Sequence, residues 1–178
     1  MSAFTVFHVL LSLVGILAGF VVAAALPASK VPRGWTAVFL WSTLATSVTG
    51  FLFPHRGFTP AIGFGIVSLV VLAPVFYALY GQKLAGHWRW IYVIGAVLAF
   101  YLNFFVLIVQ SFLKVPALKA LAPTQTEPPF AIAQGLAFVV FLVIGIIATV
   151  KFHPPPASSA ATLGTARPPD STASLKRF

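Results

Sequence analysis

Residues 4–26, FTVFHVLLSLVGILAGFVVAAAL, decide the fold of this protein. The stretch contains no Asp, Glu, Lys or Arg, and a helix of about 20 such residues is long enough to cross the hydrocarbon of a bilayer. In lipid, a single segment satisfies all its backbone hydrogen bonds only as a helix. The sequence therefore predicts a transmembrane helix over Phe4–Leu26.

Four more runs of similar character follow along the chain. They are too long for the strands of a membrane barrel, which have about ten residues and alternate apolar with polar side chains. We therefore predict an all-α, polytopic transmembrane bundle of five spans within residues 1–151. The second run is the shortest, so a re-entrant or tilted segment there, leaving four spans, is the alternative. The further runs are Thr36–Phe53, Ala61–Gly81, Trp90–Leu113 and Pro129–Lys151.

Composition agrees with this class. Of the 178 residues, 60% are apolar and 7% are charged, and the mean hydropathy is +1.01. A soluble domain carries about 25% charged residues, so a soluble globular enzyme and a disordered chain are both excluded. The chain has no cysteine, which also excludes a disulfide scaffold and thiolate metal sites.

The basic residues predict the orientation. The chain has eleven Lys and Arg residues but only two acidic residues. The basic residues lie in the loops and the tail rather than on a basic stripe, so nucleic acid is not an expected partner. If all five runs cross, eight basic residues fall on one side and three on the other, and the richer side is expected to be cytoplasmic. This places the N-terminus outside and the C-terminus inside a bacterial-type inner membrane. The richer side holds Lys30, Arg33, Lys83, Arg89, Lys151, Arg167, Lys176 and Arg177, and the other holds Arg56, Lys114 and Lys119.

The segment 152–178 differs from the rest. Its Pro, Ala, Ser and Thr content cannot bury enough surface to offset the entropy of ordering, so we predict a disordered cytoplasmic tail.

On the first helix, His8, Ser12, Gly15 and Gly19 recur at helical spacing and share one face. Gly15 and Gly19 form a GxxxG pattern, which lets a neighbouring backbone approach closely. The pattern predicts helix packing, either within the chain or between two copies of it.

Polar side chains concentrate near the predicted outer ends of the helices. Because such groups need partners in hydrocarbon, they tend to face other helices or a cavity. We hypothesise an outward-facing polar pocket, with separate packing seams as the alternative. The residues are His8, Thr49, Asn103, Gln110 and Gln134.

The chain offers little for catalysis. Its only carboxylate side chains are Glu127 and Asp170, and no HExxH, GxSxG or phosphate-binding glycine loop occurs. We therefore expect no enzymatic activity, no catalytic or metal-binding residues and no cofactor.

Three functions are compatible with this inventory. The first is a non-catalytic accessory or assembly subunit, with the lipid bilayer and a membrane protein or a second copy as partners. The alternative is a minimal permease or channel for a small neutral solute, using the polar pocket. The third is a redox subunit that binds haem b between histidines. The four histidines divide into His8 with His55 and His87 with His153.

Overall fold

The computed structural model describes residues 3–53 and 60–154. Six α-helices make up most of this part of the chain, and it contains no strand. A 3-10 turn, Leu26–Ala28, continues α1, and a π-helical turn, Tyr77–Gly81, continues α3. The helices are α1 Ala3–Ala25, α2 Arg33–Gly50, α3 Pro60–Phe76, α4 Trp88–Lys114, α5 Pro116–Leu121 and α6 Pro128–Lys151.

The predicted all-α membrane fold is confirmed. Four helical segments are long and apolar enough to cross a bilayer, and they correspond to α1, α3, α4 and α6. The second predicted span is also a helix, but α2 falls short because Ser and Thr side chains interrupt its apolar residues. The four segments are Ala3–Ala28, Ile62–Gly81, Trp88–Lys114 and Pro128–Lys151.

The central helix of the bundle is α4, which packs against α1, α3, α6 and the short α5. Helix α2 lies between α1 and α3, and α6 packs on α4 and on the 3-10 turn that follows α1. The core between these helices is aromatic and aliphatic, and Phe39, Tyr92 and Phe100 are among its largest fully buried side chains. Helix α4 therefore contacts every other long helix, and it reaches α2 through individual side chains such as Asn103 and Phe100.

One end of the bundle is basic. The C-terminal ends of α1 and α6 meet here, since the Ser29 hydroxyl donates a hydrogen bond to the Lys151 carbonyl (2.9 Å) and accepts one from the His153 amide (2.8 Å). Phe152, the residue after α6, is 1% exposed and packs its ring against that of Tyr92 on α4. We call this the basic end, because it carries Lys30, Arg33, Lys83, Arg89 and Lys151.

The opposite end contains His8 of α1, Thr49 of α2 and the loop before α6. Helix α2 begins beside α4 at the basic end, where Thr36 faces Tyr92, and ends beside His8. It therefore runs from the basic end toward the opposite end, antiparallel to α1. From residue 155 onward, the predicted disordered tail lies outside the described residues.

Candidate functional site

Helix α2 supplies most of the buried hydroxyl groups of the bundle. Ser42 donates to the carbonyl of Val38 (2.6 Å), and Ser47 donates to that of Thr43 (2.9 Å). Such bonds to the preceding turn let a hydroxyl enter an apolar interior without another partner. The polar side of α2 is thus turned inward, toward the neighbouring helices.

His8 and Thr49 form a direct link between α1 and α2. The His8 Nδ1 and Thr49 Oγ1 atoms lie 2.8 Å apart, and Thr49 Oγ1 also lies 2.8 Å from the carbonyl oxygen of Ala45. With the hydroxyl hydrogen donated to that carbonyl, the matching tautomer of His8 is the one that carries its proton on Nδ1. The His8 ring also packs edge-on against Phe53, with centroids 5.1 Å apart. These contacts assign His8 a packing role between two helices.

Asn103 and Gln134 each join a different pair of helices. Asn103 of α4 donates from Nδ2 to Thr43 Oγ1 of α2 at 2.9 Å. Gln134 of α6 donates from Nε2 to the Phe105 carbonyl of α4 at 3.2 Å. The remaining member of the predicted set, Gln110, is exposed on α4.

The structure therefore brings two of the five predicted pocket residues together and leaves the other three apart. His8 and Thr49 bond to each other, whereas Asn103 and Gln134 use partners outside the set. This arrangement corresponds to separate seams between α1 and α2, α2 and α4, and α4 and α6. The sequence placed four of them near the outer ends of the helices and Asn103 deeper, but it did not specify the direction in which each helix face points.

The two glycines of the GxxxG pattern face different neighbours within the chain. A Cβ atom on Gly15 would lie 2.9 Å from Ser42 Oγ of α2, and one on Gly19 would lie 2.5 Å from the Phe100 ring of α4. Both distances are too short for a real side chain, so α1 packs closely against two helices at once. The contacts of both glycines thus correspond to packing within the chain.

The described histidines lie at both ends of the bundle. His8 is near the start of α1, about 26 Å along the helix axis from the end of α1. The rings of His87 and His153 lie beside Trp88 and Trp90 at the basic end. Within residues 3–53 and 60–154, no group of three His, Cys, Asp or Glu side chains is placed to hold a metal ion. His55 and Asp170 lie outside the described residues.

Glu127 is bonded within its own loop at the start of α6. Its Oε1 accepts hydrogen bonds from the Thr124 amide (3.1 Å) and hydroxyl (2.8 Å), and its Oε2 accepts one from the Thr126 amide (3.1 Å). Desolvation raises the pKa of this carboxyl, but the hydrogen bonds outweigh it, so the pKa lies below its usual value. The carboxylate therefore stabilises the turn that leads into α6.

Several hydroxyls in the interior lack a hydrogen-bond partner in the described part of the chain. Thr36 and Tyr92 are 1% and 0% exposed, and their hydroxyls face each other without completing a hydrogen bond. Thr46 Oγ1 on α2 is also buried without a partner. Gln134 Oε1 on α6 is likewise without a partner there, so the unsatisfied groups are spread over α2, α4 and α6.

A groove of about 440 Å³ runs between α4 and α6. Its lining residues recur at helical spacing, as Ile94, Leu98 and Tyr101 do on α4, but this spacing does not by itself distinguish a groove from a lipid-facing side of a helix. Gly145 lies in its wall, and the absence of a side chain there contributes to the space. The groove is lined by Ile94, Val97, Leu98, Tyr101, Phe138, Phe141, Leu142, Gly145, Ile146, Thr149 and Val150.

Comparison of the chain with protein-family models, with curated proteins and with solved structures found no match.

Proposed function

We propose that this small multi-helix membrane protein is a non-catalytic accessory or assembly subunit that packs against another membrane protein or a second copy of itself. The observation that carries the proposal is the exposure of α6. Only 17% of its most apolar stretch is buried by the rest of the chain, against 22% to 44% for the other three membrane-length segments. Helix α6 is thus attached along one side and has a long apolar surface available to a partner.

The side of α6 that points away from α4 has the pattern of a helix-packing surface. Leu136, Val140, Val143 and Ile147 recur at spacings of four, three and four residues and are all exposed. Residues at this spacing share one face of a helix and present the ridge that packs into a neighbouring helix. We call these four residues the outer face of α6.

The residue chemistry supports a non-catalytic role. A catalytic site needs an activated nucleophile, an acid–base pair or a metal. Both carboxylate oxygens of Glu127 accept hydrogen bonds from its own loop. The His8 ring is hydrogen-bonded to Thr49 and packs against Phe53. The titratable groups with the best-defined partners are thus used for structure.

We further propose that α2 is a fifth span, with the N-terminus outside and the C-terminus inside a bacterial inner membrane. Its 18 residues extend about 27 Å, close to the roughly 30 Å thickness of the hydrocarbon. Its hydroxyl groups face other helices, so its low hydropathy does not prevent it from crossing the bilayer. With α2 crossing, Lys30, Arg33, Lys83, Arg89 and Lys151 all lie on the inner side, as the positive-inside rule requires.

The test is native mass spectrometry of the protein released from its own membranes in mild detergent. We expect a complex that contains a second membrane polypeptide or a second copy in fixed ratio. Val143→Trp on the outer face should abolish that complex, because a large ring prevents close helix contact. Leu17→Trp is the matched control, since Leu17 is 64% exposed on α1 and lies outside the proposed surface. A lone monomer, or equal complex formation by both variants, would contradict the proposal.

A minimal permease is the second candidate, and the unpartnered hydroxyls of Thr36, Thr46 and Tyr92 favour it. Two of them belong to α2, and unsatisfied polar groups along one helix suit a narrow solvated path. Uptake of a small neutral solute by proteoliposomes, lost on Asn103→Leu, would support this function. Uptake no faster than into empty liposomes would exclude it for the solutes measured.

A further inference from the structure

The apolar groove between α4 and α6 leads directly to charged and aromatic groups at the basic end. On α4, Trp90 lies one turn before Ile94, which lines the groove. On α6, His153 follows Thr149, another lining residue, by four positions. The Trp90 and His153 rings are 6.3 Å apart, so these two side chains meet at that end of the groove.

Cationic residues stand on each chain segment that reaches this meeting point. The Arg89 guanidinium carbon lies 5.0 Å from the centre of the Trp90 ring, in a cation–π contact. Lys151 and Lys30 are exposed, and Ser29 bonds the turn that carries Lys30 to the end of α6. The segments of α4, α6 and the turn after α1 that meet at this end thus each contribute a basic residue.

These charges have no carboxylate to pair with in the described part of the chain. Its one carboxylate side chain, Glu127, lies at the opposite end and is bonded within its own loop. The Nε atom of Arg89 is buried and has no hydrogen-bond partner among the described residues. A buried donor of this kind favours an acceptor that is supplied from outside the chain.

We propose that the α4–α6 groove holds an acyl chain of an anionic phospholipid and that Arg89, Lys151 and His153 bind its phosphate. Arginine and phosphate form strong charge-assisted hydrogen bonds, and a tryptophan at this depth is typical of the headgroup region. An apolar groove that ends in unpaired cations fits an amphiphile with an anionic head. Free phosphate fits this combination of groove and cations less well, since phosphate would leave the groove empty. A partner helix also fits less well, since an apolar helix would leave the cations unpaired.

The site does not depend on the proposed accessory role. The groove lies along the side of α6 that carries Gly145 and Thr149, whereas the outer face carries Val140 and Val143. Lipid binding and partner binding can therefore be tested separately.

The experiment measures lipid binding by native mass spectrometry on the full chain in delipidated detergent, with phosphatidylglycerol and phosphatidylcholine as probes. We expect tighter binding of phosphatidylglycerol and an affinity loss of about fivefold on Arg89→Gln, which corresponds to about 1 kcal/mol per basic residue at a membrane surface. Lys83→Gln is the matched control, because Lys83 is exposed at the same end but is not part of the groove. Equal affinity for the two lipids, or an equal loss in the two variants, would overturn the headgroup assignment.

A second set of variants tests the groove. A Cβ on Gly145 would lie 3.6 Å from Val97 Cγ1, an ordinary contact, so Gly145→Leu should fold and place its side chain in the groove. We expect it to weaken the binding of both lipids. If it does not fold, Leu98→Trp fills the same groove from α4. Unchanged lipid binding in the folded variant would contradict the proposal that the acyl chain lies in the groove. Competition by inorganic phosphate at the concentration of the lipid would identify a simple anion site and overturn the proposal.

Discussion

Phe100 offers the sharpest test of how this bundle is held together. Its side chain is 1% exposed on α4, and its ring makes edge-to-face contacts at 4.9 Å with Phe20 of α1 and with Phe141 of α6. It also lies 6.1 Å from Phe39 of α2, and Gly19 of α1 leaves the space that it fills. A single ring thus contacts three other helices.

Phe100→Ala should destabilise the protein by about 2–3 kcal/mol. In a core formed in water, Phe→Ala costs about 3–5 kcal/mol, part of which is the transfer of apolar surface out of water. Between membrane helices that part is missing, because lipid is as apolar as the protein interior. The packing part remains, and the two close aromatic pairs alone contribute about 0.5–1.5 kcal/mol each.

The assay is equilibrium unfolding of purified protein in mixed micelles of increasing denaturing-detergent fraction, followed by circular dichroism and tryptophan fluorescence. Phe7→Ala is the matched control. Phe7 is 56% exposed on α1, so this substitution removes the same atoms as Phe100→Ala but from a side chain that faces the lipid. We expect this control to change the free energy of unfolding by less than about 0.5 kcal/mol. Equal losses in the two variants would refute the reasoning, since removal of the ring would then matter irrespective of its contacts.

Three further predictions concern polar contacts. A double-mutant cycle of Asn103→Leu and Thr43→Val should give a coupling energy of about 0.6–1.7 kcal/mol, measured by the same unfolding assay, and strict additivity would argue against their hydrogen bond. Because the folded-state pKa of Glu127 is lowered, its stabilisation of the loop is present above the usual Glu pKa and is lost as pH falls through the lowered value. The protection factors of the amides in that loop, measured by hydrogen exchange and corrected for the slower intrinsic exchange at low pH, should therefore fall on acidification in the wild type but not in Glu127→Gln. Ser29→Ala should cost about 1 kcal/mol and speed exchange of the His153 amide, and unchanged exchange would show that the bond does not hold the end of α6.

The sequence by itself determined that the protein is suited to a lipid environment and that its secondary structure is helical. Long apolar runs without charges, such as Phe4–Leu26, have one way to satisfy their backbone in hydrocarbon, which is to form helices. The observed helices match the predicted runs to within a few residues. The largest difference is in α2, which begins at Arg33 and ends at Gly50 instead of covering Thr36–Phe53, because a helix can extend through a basic residue at the membrane surface.

The tertiary structure alone decided which faces of the helices meet. In lipid, apolar residues are favourable all around a helix, so hydropathy does not indicate the side that faces the bundle. The sequence grouped His8, Asn103 and Gln134 by depth, but they belong to three different helix interfaces. It likewise identified Gly15 and Gly19 as a close-packing pair, although one packs on α2 and the other on α4. The groove between α4 and α6 depends on the same rotations, because it exists only where the faces of two helices leave space between them.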